Sequence, residues 1–213
     1  SGWLINSKKP NGLTNLRSKL PVKSRRINAV IAILGIGSLF CPISAAQTSE
    51  LTGAQSLWIA EQIFANECSS EVKCLTSWNI GEDFPSFGLG HFIWYRQGQQ
   101  EIYQETFPDL IDFYHGQGIE TPNWVTELPQ RDSPWRNRDQ FYDAFDEPRL
   151  TELREFLQNT LSVQARFIVQ RQEQALGKIL DQTPAEQRQD IAELYREIAA
   201  AEAPLGRYAL IDY

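Results

Sequence analysis

Between residues 67 and 95 the chain gathers polar and aromatic side chains beyond what a packing element needs. They are Glu67, Glu71, Asn79, Glu82, Asp83, Ser86 and His91, interleaved with Trp78, Trp94 and Tyr95. Two acids facing one cleft can divide a proton transfer between them. One protonates a leaving oxygen, while a second carboxylate, or a water held in place, meets the positive charge that develops. Aromatic faces stack on sugar rings and add apolar area. A carboxyl at a helix end, opposite a hairpin with further polar groups, is one way to build a cleft that breaks glycosidic bonds. Each residue also has a plainer use. Glu67 serves equally as a solvated helix-end carboxylate, Glu82 as a turn carboxylate and Ser86 as a strand hydroxyl. His91 suits a structural hydrogen bond, and the three aromatics suit the core.

The elements that must position these residues are legible in outline. Thr52 with Gln55 makes a capping-box start, and Leu57, Ala60, Ile63 and Phe64 recur at helical spacing. A helix over 51–66 follows, with Glu67 at or just past its C-terminal end, where the macrodipole opposes negative charge. Residues 75–79 and 84–91 are short β-compatible runs around the turn-prone Ile80-Gly81-Glu82-Asp83, which predicts one hairpin. Gly88 and Gly90 alternate with Phe87 and Leu89, a sign of a tight bend or a close backbone approach.

Beyond residue 101 helices dominate. Thr106-Phe107-Pro108 opens one that Gly116 and Gly118 close. A segment punctuated by Pro122, Trp124, Pro129, Pro134 and Trp135 leads to a short helix near 138–145. Leu150, Leu153, Leu157, Leu161, Ala165, Ile168 and Val169 form a core-facing stripe, predicting one long helix over 149–180. Thr183-Pro184-Ala185-Glu186 then starts a last helix to about residue 203, with Thr183 as N-cap. The expected class is α+β, predominantly helical, as one domain over 47–213.

The run Ser86-Phe87-Gly88-Leu89-Gly90-His91 resembles the Thr-x-Gly-x-Gly-His hairpin of phage-type lysozymes and endolysins, within the lysozyme-like superfamily. Residues 208–213, Tyr-Ala-Leu-Ile-Asp-Tyr, are similar to the start of a later helix in that family, so the domain reads as cut short at its C-terminus. The resemblance implies a lysozyme-like fold and hydrolysis of peptidoglycan glycan strands or a close β-1,4-linked amino-sugar polymer. It matches Glu67 to the catalytic acid that closes the helix, Ser86 to the hydroxyl that helps place water, and His91 to the family's histidine. The family's hairpin Asp has no counterpart. Asn79 lies nearest, with Glu82 three residues on, and Glu71 also stands at a family-like distance from the histidine. Glu67, Glu82 and Ser86 are therefore the catalytic candidates, with Asn79, His91, Trp78, Trp94 and Tyr95 as substrate-binding candidates. No cofactor is needed. The alternative is a non-catalytic module that holds a glycan or a protein in the same cleft.

Charge and cysteines bound the setting. Lys23, Arg25 and Arg26 precede an apolar stretch at 27–40, and Ser44, Ala45 and Ala46 offer a small-residue cleavage site before Gln47. Residues 22–46 thus read as a signal peptide, too short and Gly-interrupted to remain as a membrane anchor. The chain contains no Met, so Val22 reads as a start from an alternative codon and residues 1–21 as an extension without structural role. All seven basic side chains of 1–46 leave with the signal, so 13 of the 20 Lys and Arg face all 27 Asp and Glu, a formal charge of −14. Such a surface repels polyanions and argues against nucleic acid as a partner. Cys68 and Cys74 form an even pair that reads as a disulfide in an oxidising compartment, periplasmic or secreted. No His or Cys cluster accompanies them in sequence, so no metal site is expected.

Overall fold

The computed structural model describes residues 50–212, which fall within one compact unit, Thr48–Tyr213. The signal-peptide reading at 22–46 and the extension at 1–21 lie outside the described residues. Eight α-helices and a three-stranded antiparallel sheet make up the described part, an α+β arrangement dominated by helix. Among the described residues no helix is long and apolar enough to cross a membrane.

Helix α1, Gly53–Cys68, starts as its sequence requires. Thr52 Oγ1 accepts the Gln55 N–H at 3.2 Å, and Gln55 Oε1 accepts the Thr52 N–H at 3.0 Å, so two otherwise unpaired donors are satisfied. The helix ends when Ser69 and Ser70 enter the left-handed region, and the Ser70 N–H returns to the Phe64 carbonyl at 3.1 Å. A 3-10 turn, Val72–Leu75, follows, and the Cys68–Cys74 disulfide fastens it to the end of α1.

The single expected hairpin is a three-stranded meander. Strands β1 (Thr76–Ser77), β2 (Ser86–Phe87) and β3 (Phe92–Ile93) pair in sequence order, with Thr76 opposite Phe87 and Phe87 opposite Phe92. The run expected over 84–91 stops at Gly88, whose φ of +69° suits glycine, and the chain folds back through Leu89, Gly90 and His91. Phe87 is fully buried at the centre of the core. Its ring lies 4.8 Å from that of Phe107 and 5.4 Å from that of Trp94.

The connecting helices are α2 (Phe107–Gly116), α3 (Asn123–Thr126) and α4 (Arg138–Asp143). The stripe at 149–180 does face the core, but the one long helix is two: α5 (Pro148–Asn159) and α6 (Leu161–Gln182), broken at Thr160. Side-chain bonds replace the ladder there. Thr160 Oγ1 meets the Phe156 carbonyl at 2.8 Å and the Tyr114 hydroxyl at 2.7 Å, while Gln164 Nε2 donates to the Leu157 carbonyl at 2.7 Å. Thr183 also departs from expectation. Its hydroxyl donates back to the Ile179 carbonyl at 2.7 Å and closes α6, and it does not cap α7, Ala185–Ala200. Helix α8, Leu205–Asp212, returns to α1, where the Tyr208 ring meets that of Trp58 edge-on at 5.8 Å and Asn66 Nδ2 donates to the Tyr208 hydroxyl.

Candidate functional site

Two sequence-distant pieces meet beside the disulfide, and a third lies within electrostatic reach of them. Glu67 stands half-buried in the last turn of α1, next to Asn66 and its bond to α8. His91 closes the Gly88–His91 turn, its N–H donating to the Gly88 carbonyl at 3.2 Å with its own backbone at φ +45°. Glu82 comes from the β1–β2 connection. Burial depresses the His91 pKa below its ordinary 6.5, against the opposing attraction of Glu67 first and Glu82 second. Desolvation outweighs both carboxylates, so the imidazole is neutral near pH 7 and acts as a hydrogen-bonding group without charge.

No histidine accompanies the two cysteines in sequence, and the fold brings His91 to them. A ring nitrogen of His91 and both sulfurs lie within 4.8 Å of one another. Two cysteines and a histidine at this spacing have the chemistry of a metal site. Here the sulfurs are bonded to each other, so neither is a thiolate ligand.

The other candidate residues divide into two groups. Glu82 Oε2 accepts from Asn79 Nδ2 at 3.1 Å, which orients the carboxylate on its own turn. Ser86 is buried and its hydroxyl lies 3.1 Å from that of Ser77 across the β1–β2 pair. Trp78, Trp94 and Tyr95, expected on a substrate platform, are all buried. The Trp78 indole N–H donates to the Glu82 carbonyl and that of Trp94 to the Arg131 carbonyl, both at 2.7 Å. Tyr95 donates to the Tyr103 carbonyl at 2.9 Å, and burial pushes its phenol up to about 12, so it stays protonated. These three rings are covered by the protein and present no stacking face. Glu71 is exposed at the start of the 3-10 turn.

A cleft of about 260 Å³ opens beside the Glu82 turn. It is lined by Glu82, Asp83 and Asp139, by Arg96 and Arg138, and by Asn137 and Trp78. Arg138 is held in place, with Nε donating to the Trp78 carbonyl at 2.9 Å and the guanidinium 4.5 Å over the Tyr142 ring. Sequence reasoning missed Arg96, Asn137, Arg138 and Asp139. Nothing in their local spacing marks them, because the segment 134–143 reaches the hairpin only through the fold. Comparison with models of known families, with curated proteins and with solved structures returned no match.

Proposed function

We propose that the chain is an exported glycoside hydrolase of lysozyme type, cutting peptidoglycan glycan strands or a close β-1,4-linked amino-sugar polymer. Glu67 is the general acid that protonates the glycosidic oxygen. Glu82, oriented by Asn79, stabilises the positive charge on the sugar or directs a water, and Ser86 supports the turn between them. The observation that carries this reading is the convergence on His91. Carboxylates from a helix end and from a hairpin turn both act electrostatically on one half-buried imidazole in the Gly-x-Gly-His turn. Two carboxyls reaching one group, one from rigid helix and the other from a turn, support a two-carboxyl reading.

A second reading has its own support. The polar cleft beside Glu82 carries both charge signs, and Glu67 is not part of its lining. A glycan or peptide held there would not have to reach the acid, which suits a binding module without catalysis. Digestion of purified peptidoglycan separates the two. The hydrolase releases soluble muropeptides, and Glu67→Gln releases none while keeping the wild-type circular dichroism spectrum. Release by both proteins moves the acid to Glu82 or Glu71. Absence of release from folded wild type, with retention on insoluble peptidoglycan, establishes the binding module.

A further inference from the structure

We propose that Gln164 is a positioning residue for this site: its buried amide locks the Gly88–His91 turn to the α5–α6 break and so sets where His91 stands relative to Glu67 and Glu82. The activity part of this inference rests on the hydrolase reading above; the geometric part does not.

Gln164 is fully buried, an unusual place for an amide unless both ends are satisfied. Here they are. Oε1 accepts the Leu89 N–H at 2.8 Å, and Nε2 donates to the Leu157 carbonyl at 2.7 Å. The first bond reaches into the turn and the second into the carbonyl freed where α5 ends. Within the turn, the Gly88 N–H goes to the Leu75 carbonyl at 2.8 Å and the His91 N–H to the Gly88 carbonyl. The Leu89 N–H is the group of this turn that α6 holds. Gly88 is fitted to this contact twice. Its φ of +69° disfavours a side chain, and a Cβ there would collide with Gln164 Oε1. Gly90 is constrained from the opposite direction, since a Cβ on it would sit 2.6 Å from the tip of the Phe92 ring. The turn therefore has one packed conformation, and Gln164 is its polar anchor. An apolar side chain of the same size would fill the space yet leave the Leu89 N–H unpaired and the Leu157 carbonyl with only its longer bond from the Thr160 N–H, at 3.3 Å, and the Thr160 hydroxyl, at 3.4 Å.

The test uses the described protein with Gln164→Leu and Gln164→Glu, each read by NMR titration of His91 and by peptidoglycan digestion. The chain has 2 histidines, and His115→Gln assigns the two resonances. In Gln164→Leu the turn relaxes. The His91 midpoint rises toward 6.5 as burial lessens, and kcat falls about ten-fold with KM little changed, as expected of lost positioning. Gln164→Glu gives the sharper signature. A protonated carboxyl can accept from Leu89 and donate to Leu157, whereas a carboxylate cannot donate. The groups facing it are those two, the Thr160 hydroxyl at 3.5 Å and the Tyr114 phenol, which burial keeps protonated. Gln164→Glu thus keeps the wild-type His91 environment at acidic pH and loses it as the carboxyl ionises. A wild-type His91 titration and kcat in both variants, with only the melting temperature lowered, overturns the proposal. Should Gln164→Leu fail to fold, Gln164→Glu decides alone. Should the wild type not digest peptidoglycan, the hydrolase reading falls and the His91 titration still decides the role of Gln164.

Discussion

His91 concentrates the chemistry of this region because burial and two carboxylates pull on it in opposite directions. Its folded pKa lies below its ordinary 6.5, so at pH values just under 6.5 the unfolded chain binds more protons than the folded one. Stability therefore rises with pH through that window and is lost as pH falls through it. Urea midpoints measured from neutral to mildly acid pH are expected to show this slope, and His91→Gln is expected to flatten it. Glu67 carries a separate prediction. On the proposed hydrolase reading, Glu67→Gln removes the transferable proton but keeps size and polarity, so turnover on peptidoglycan is expected to fall by at least about 10²-fold, with little change in melting temperature. Retained turnover would remove Glu67 from the mechanism.

At the scale of elements, the site depends on how the end of α1 is tied to the sheet. The disulfide closes a short loop, and its removal in Cys68→Ser/Cys74→Ser is expected to cost about 2 kcal/mol by the loop-entropy relation. Denaturant titration of the double variant against wild type measures that cost. The same variant loosens the end of α1 that carries Glu67, so on the proposed hydrolase reading turnover should fall further than stability alone explains. Opposite the disulfide, Arg154 holds β1. Its Nε donates to Thr76 Oγ1 at 2.9 Å, its Nη2 to the Phe145 carbonyl at 2.8 Å, and its guanidinium lies 4.1 Å over the Phe145 ring. Burial lowers its pKa, the cost of placing a cation beneath the sheet, with Asp146 opposing the shift. The short strands are thus braced by α5 and α6 more than by their own ladder.

The described residues are built around one aromatic core that the site's elements share. Phe87, Trp94, Phe107, Trp135 and Phe141 pack ring against ring, and Phe87 belongs to β2. Truncating it by Phe87→Ala is expected to cost about 3–5 kcal/mol. That is a large part of the roughly 5–15 kcal/mol that holds a domain folded. Thermal melts followed by far-UV circular dichroism should show a broad or absent transition. Charge acts at the same scale, since the acidic excess predicts no retention on immobilised polyanion at physiological salt. Retention there would point to a basic patch that the summed charge conceals.

Local chemistry made much of this protein legible from its sequence. The Thr52–Gln55 cap, the Thr106-Phe107-Pro108 start, the glycine turn and the pairing of Cys68 with Cys74 all depend on residues a few positions apart, and the structure shows each of them. The 149–180 stripe was legible as core because apolar periodicity reports burial. The break inside it was not, because Thr160 and Gln164 look like ordinary helical positions until Tyr114 and Leu89 arrive from elsewhere. Only tertiary structure decided that Trp78, Trp94 and Tyr95 are core. The sequence shows their aromatic area but not the helices that cover it. The same holds for His91 beside the disulfide, for the influence of Glu67 and Glu82 on it, and for the cleft that Arg96 and Arg138 share with Asp139. Hydrogen bonds within one turn are specified by neighbours in the chain, whereas desolvation and charge proximity are set by which distant segments the fold brings together.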